Sequence, residues 1–216
     1  MNKLLVLMGI SLLALSYSPE AQAQLFIKKD FKGRQATEYY LAGAVPERDG
    51  KVCFVDTVDV PGTTQAQIYA GLAQWASFRY APSVESGEWT DENYFANTEF
   101  CTVKEADAEG GHIVCAAQEY MVFNNKALAK DYTIINYTLT LDIQDERVIS
   151  TLTNIVYTYT LAEDYTERIV AEDWISDAEA LNKKGELHRT VARFRIKTVD
   201  LAEELFKEVA ASATPQ

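Results

Sequence analysis

From residue 39 onward the chain switches between stretches of period two and stretches of period 3.6. Their order gives its elements. Residues 39–45 form a short strand-like run closed by Pro46 and Asp49-Gly50. Residues 51–60 are rich in Val and Thr and stop at Pro61-Gly62, as a strand does. Thr64 then offers an N-cap, and Gln67 three residues later completes a capping box. Ile68, Leu72, Trp75 and Phe78 or Arg79 recur at helical spacing until Pro82 forces the chain out of the helix. Residues 81–97 have no period. Their Trp89, Tyr94 and Phe95 must lie either beneath the loop or over a pocket.

Four strand-like segments follow, at 98–104, 112–123, 131–143 and 147–161. They pair as two hairpins turning at 106–111 and 144–146. The third alternates most cleanly: Thr133, Ile135, Tyr137, Leu139, Leu141 and Ile143 share one face, while Tyr132, Asn136, Thr138, Thr140 and Asp142 share the other. Such alternation predicts an antiparallel sheet with one dry and one wet side. In the fourth, Val148, Leu152 and Val156 oppose Ile155, Tyr157 and Tyr159, which predicts a bulge or burial on both faces. Near the C-terminus, Ser176 and Glu179 form a second capping box before a short helix. Val191, Phe194, Thr198, Leu201, Leu205 and Val209 then keep the spacing of one long helix, while Ala192, Phe194 and Ile196 also alternate with Arg193, Arg195 and Lys197 as a strand would, so 189–197 stays open between the two with the helix preferred.

The first residues change the setting. Lys3, the apolar run 4–15 and Ala21-Gln22-Ala23 are the parts of a signal peptide cleaved after Ala23. The expected organisation is a leader at 1–23, a loose arm at 24–38 and a single domain at 39–216, periplasmic or secreted. No later segment is apolar enough to span a membrane. With 32 acidic against 20 basic residues, the net charge is −12. That balance argues against nucleic acid and anionic lipid as partners.

An exported chain meets an oxidising compartment, so Cys53, Cys101 and Cys115 need attention. A hairpin centred near Ala108 would set Cys101 against Cys115, and a bridge there would add about 3 kcal/mol through loop closure. The other reading is three small buried hydrophobes with free thiols.

From Lys51 the order is β-α-β-β-β-β-α. Hairpins require an antiparallel sheet, and the helices bury their stripes by covering one face. The expected fold is therefore α+β, with four to six antiparallel strands and helices on one face, the order of TBP-like or helix-grip proteins. Residues 51–60, the following Pro61-Gly62-Thr63-Thr64, and Ile68, Tyr69 and Trp75 in the helix resemble the DUF4468 family of exported Bacteroidetes proteins, described as TBP-like. Residues 181–187 and 194–200 are similar to the tail of longer members. The resemblance implies fold and location; the family brings no established function with it.

Catalytic signatures are missing. The chain has no Cys-x-x-Cys, no His-Glu-x-x-His, no Gly-x-Ser-x-Gly and no phosphate-cradling glycine loop. On a strand, His112 and Cys115 point to opposite faces. Asp107 and Glu109 suit a plain acidic turn better than a Ca²⁺ loop. Arg189, Arg193 and Lys197 form a basic stripe expected to pair with the chain's own carboxylates. No cofactor or metal is expected. The expected role is a non-catalytic binding or interaction module for an envelope protein. The alternative is a carrier holding a small apolar ligand between sheet and helix, with Trp75, Tyr120, Tyr137 and Phe194 lining the space and Trp89, Tyr94 and Phe95 closing it.

Overall fold

The structure, a computed structural model, describes residues 38–82, 95–126, 129–162 and 165–214. The leader, residues 24–37 of the arm, Trp89 and Tyr94 lie outside the described residues, and Phe95 is described through its backbone alone. Among the described residues no helix is long and apolar enough to cross a membrane.

Three long strands make the middle of the sheet: β6 (His112–Lys126), β7 (Ala129–Gln144) and β8 (Arg147–Ala162). They are consecutive, antiparallel and in hairpin connection. Each flank is shared by two short strands. On one side β4 (Phe95–Asn97) and β5 (Thr102–Asp107) both pair with β6. On the other, β3 (Phe54–Asp59) and β9 (Tyr165–Val170) both pair with β8. Seven strands thus fill five positions across the sheet, within the width the sequence predicts. Residues 51–60 divide: β2 (Lys51–Val52) pairs with β1 (Glu47–Arg48) in a separate two-stranded sheet before β3 begins. Residues 38–45 are not a strand but a 3-10 turn at Glu38–Tyr40 and bends, held by bonds to the C-terminal helix described below.

Helix α1 (Gln65–Arg79) starts at the predicted capping box, with the Thr64 side chain accepting from the Gln67 amide and Gln67 answering to the Thr64 amide. Short helices α2 (Glu172–Ile175) and α3 (Asp177–Ala180) precede α4 (Arg189–Ala213). Ser176 stands at the N-cap of α3 but makes no side-chain cap bond, so the second capping box is not formed. Helix α4 is continuous and buries Val191, Phe194, Leu201, Leu205 and Val209. Where α1 meets it the backbones approach closely: a methyl group on Gly71 would sit 2.3 Å from the Ser212 carbonyl oxygen.

The alternation in β6 and β7 decides which face is covered. Ile113, Cys115, Ala117, Glu119 and Met121 of β6 and Thr133 through Ile143 of β7, taken by alternate residues, are buried. In β8 the alternation breaks at Asn154, whose φ of 55° lies in the left-handed region. The register against β7 shifts there, so Leu152 and, beyond the bulge, Ile155 and Tyr157 all reach the buried side.

The three cysteines are free, buried thiols. The expected bridge between Cys101 and Cys115 is not formed, and the register explains why. Asp107 accepts from the Glu109 and Gly110 amides and moves the turn to 108–111, while a bulge follows Val103. Cys115 therefore faces Val103, and the Cys101 thiol donates to the Gln118 carbonyl at 3.2 Å.

Candidate functional site

Two features of the sheet bear on function: a cluster of polar side chains buried under the helices, and the opposite face, over which no described helix packs. The cluster is built where the end of α1 crosses β6. Inward alternation puts a carboxylate, Glu119, among apolar neighbours with no exposure to solvent. Arg79, in the last turn of α1, meets it with both guanidinium arms, Nη1 to Oε1 at 2.8 Å and Nη2 to Oε2 at 3.3 Å. The Tyr137 hydroxyl donates to Glu119 Oε1 at 2.6 Å from the neighbouring strand. Arg79 also donates to Asn97 Oδ1 at 3.1 Å, and its Nε lies 3.5 Å from Glu208 of α4. Trp75 Nε1 donates to the same Glu208 at 3.0 Å.

The charges in this cluster answer one another. Burial works against the Arg79 cation, but facing Tyr137 and Glu119 outweigh it and raise its pKa. Burial, reinforced by Glu119, drives the Tyr137 hydroxyl well above its usual range. Burial also lifts Glu208, against the pull of Arg79 and Trp75, and pushes the Cys115 thiol up to about 12. Cys101 rises for the same reason. The Tyr80 hydroxyl is buried without a hydrogen bond of normal geometry, although Tyr137 is near enough to favour its phenolate. These groups are locked into each other rather than aimed at an opening. The arrangement suits structural ion pairing more than proton transfer.

Asn97 closes a second circle. Its amide donates to the Arg79 carbonyl at 2.7 Å and the Ala81 carbonyl at 3.0 Å, so the end of α1 is tied to β4.

The predicted ligand-lining set does not converge. Trp75 and Tyr137 belong to the ionic cluster. Phe194, almost fully buried, packs in a separate aromatic group with Phe123, Tyr157, Tyr159 and Trp174 at centroid distances of 4.8 to 5.9 Å. Tyr120 points to the other side of the sheet, against Tyr132. The basic stripe is tied down as expected at Arg193, which pairs with Asp131 and Tyr159 and lies over the Phe123 ring at 4.5 Å. A concavity of about 360 Å³ opens at the end of the sheet between Asp59, Pro61 and residues 144–147. Its carboxylates serve the chain itself, Asp145 accepting from the Gln65 amide and Glu146 from the Gly62 amide, both close to 2.8 Å.

The strongest polar anchor has no counterpart in the sequence reading. Arg195 is completely buried. It donates to the carbonyls of Tyr40, Ile175 and Leu41 and to Asp177 Oδ1, all at 2.5–2.7 Å. Asp177 in turn accepts from the Gly43 amide, and the Tyr40 hydroxyl donates to Asp200.

The opposite face is chemically plain. Its central positions are Val114, Ala116, Gln118 and Tyr120 of β6, Ile134, Asn136, Thr138 and Thr140 of β7, and Ile149, Thr151, Thr153 and Thr158 of β8, all half-buried. None is charged. Gln118 and Asn136 join across the strands at 3.1 Å. At one end Asp59 pairs with Arg147 and His112 Nδ1 meets Asp142 Oδ1, each at 2.8 Å.

A family model described as a domain of unknown function (DUF4468) with TBP-like fold matches residues 54–158. The crystal structure of a DUF4468 family protein from Bacteroides ovatus ATCC 8483 matches with a TM-score of 0.67 and 34% identity, over 82% of this chain and 95% of that one. The chain belongs to the DUF4468 family. The fold of this DUF4468 protein also matches a TBP-like protein from Parabacteroides distasonis ATCC 8503, at TM-score 0.59 and 23% identity, over 79% of this chain and 97% of that one. No curated protein matches the DUF4468 chain.

Proposed function

We propose that this DUF4468 protein is an exported, non-catalytic binding module whose working surface is the open face of its sheet, engaged by a protein partner. The observation that carries the reading is the absence of charge from the centre of that face, in a chain with net charge −12. The solvent side of an antiparallel sheet is ordinarily polar, and here that polarity comes at the centre from threonines and amides without charge. Charge depletion is the mark of an interface centre. The self-satisfied ionic cluster and the protonated thiols support a role without chemistry. The carrier reading has less support, because Phe194, Leu201, Leu205 and Tyr157 occupy the space between sheet and α4.

The test is a photo-crosslinking amino acid placed at Thr138 or Thr151 of the full chain in living cells, with Glu204, exposed on α4, as control. Adducts of discrete mass from the two face positions and none from Glu204 are expected. No adduct from the face, or the same adducts from Glu204, would overturn the reading. Export is checked separately by the intact mass of the protein recovered from the envelope, which should begin at Gln24. A chain retaining Met1 would refute it.

A further inference from the structure

We infer that Arg195, Asp177 and Asp200 form a recognition site for an extended protein segment, occupied in cis by residues 40–45 of this chain. The resident segment is a strap, and a partner's segment of the same chemistry displaces it. This site stands independently of the open face of the sheet.

The first observation is how the strap is held. It adds no strand to the seven-stranded sheet. Arg195 Nε donates to the Tyr40 carbonyl at 2.7 Å, and Nη2 donates to the Leu41 carbonyl at 2.5 Å. Asp177 Oδ2 accepts from the Gly43 amide and Asp200 Oδ1 from the Tyr40 hydroxyl, both at 2.7 Å. Three of these four contacts read the main chain. Main-chain bonds give affinity for a bound segment, and pockets for its side chains give specificity. Here the pocketed side chains are Tyr40 and Val45, both buried, while Ala42 and Gly43 between them are exposed.

The second is that the site is aimed without the strap. Arg195 Nη1 donates to the Ile175 carbonyl and Nη2 to Asp177 Oδ1, both at 2.6 Å. Those partners come from α2 and α3. The guanidinium is therefore oriented by its own surroundings, and Asp177 keeps its second oxygen for the amide of the bound segment. Preorganised, charge-assisted donors lose little freedom on binding.

The third is that the strap is lightly built. Gly43 has a φ of 84° and open space where a side chain would stand. To leave, the strap gives up two buried side chains and bonds that water replaces in part. A segment with a tyrosine, a glycine three residues on and an apolar residue two further meets every contact that the strap makes. The tether gives the strap an effective concentration on the order of 1 mM, so the site stays closed to weak ligands.

The test is fluorescence anisotropy of a labelled peptide of residues 38–46 with the full chain. Wild-type protein should bind it weakly, because the strap is in place. Tyr40→Ala, which removes the ring and hydroxyl from the strap, should bind it at least about tenfold more tightly. Gly43→Pro in the chain, which removes the amide and forbids the positive φ, should act in the same direction. Adding Arg195→Met to Tyr40→Ala should abolish the gain. A peptide carrying Gly43→Pro should bind the Tyr40→Ala chain at least about tenfold more weakly, which decides the same point without altering the site. Hydrogen exchange of β6, β7 and β8 checks that each variant is folded. Folded Tyr40→Ala and Gly43→Pro chains that bind no better than wild type overturn the inference. So does binding that is indifferent to Arg195→Met or to the altered peptide. If neither strap variant keeps the sheet protected, the strap belongs to the core and the inference falls.

Discussion

Glu119 shows how a single carboxylate organises its surroundings. It sits in the dry phase of β6, where every other side chain is apolar or a thiol, and it is tolerated because Arg79 and Tyr137 satisfy both oxygens. Glu119→Leu leaves the buried Arg79 cation with only Glu208, 3.5 Å from its Nε, as a counter-charge and should cost about 3–5 kcal/mol in chemical unfolding. Adding Arg79→Met should restore most of that loss, because the buried cation disappears with it. If the double variant is no more stable than the single one, the pair is not a closed unit. The thiols and buried tyrosines add a pH dependence whose sign is fixed. Cys115 is raised to about 12, above its unfolded value of about 8.5, so the folded state binds more protons in between. That stabilisation is complete below about pH 8.5 and is lost as pH climbs toward 12, with Cys101 and Tyr137 acting in the same direction. Unfolding midpoints should stay level from neutrality to mild alkali and then decline, less steeply in Cys115→Ala. Alkylation of native protein at pH 8 should be slow at these two thiols. The inward position of Glu119 was visible in the alternation of β6, but its partners were not, because Arg79 and Tyr137 arrive from other elements. Arg195 was hidden for a different reason: it lies outside the helical stripe of Arg189, Arg193 and Lys197, and nothing local reveals the carbonyls of Tyr40, Leu41 and Ile175 that it meets.

Among the elements, those specified by neighbours in sequence were legible and those specified by neighbours in space were not. The Thr64–Gln67 cap, the alternation of β7 and the 3.6-period stripe of α4 are local, and each is found where the sequence placed it. Strand β9, by contrast, carries Thr166, Glu167 and Arg168, which hide a strand. It forms because β8 extends beyond the reach of β3 and leaves its edge open. The misplaced hairpin at 108–111 has the same lesson, since the Asp107 side chain and one bulge outweigh the symmetric spacing of two cysteines. Two substitutions probe these elements. Gly71→Ala should destabilise by about 1–3 kcal/mol in urea unfolding, since the added methyl meets backbone of α4 that cannot rotate away. Asn154→Gly should be neutral or slightly stabilising, because glycine adopts the positive φ freely. Deleting Asn154 instead turns residues after the bulge to the wrong face and should abolish cooperative unfolding.

At the scale of the molecule, the chain joins distant parts of its sequence through one side chain. The backbone at Tyr40 and Leu41, early in the described chain, has its carbonyls bonded by Arg195 of the last helix. A polypeptide made from its N-terminus therefore cannot form these bonds until nearly all of it has appeared. The β6–β7–β8 meander, whose contacts are local, is free to assemble first. Arg195→Met should spare that early step while lowering final stability by several kcal/mol, the combined cost of orphaning the Tyr40 and Ile175 carbonyls and of removing the cation beside Asp177, since Leu41 keeps the Ala44 amide. Hydrogen exchange would show it as lost protection around residues 40–45 and 175–177 with the meander still protected. The guanidinium thus acts as a completion check: only a polypeptide synthesised as far as Arg195 can lock residues 40–43, and products truncated before it would stay open to proteolysis there.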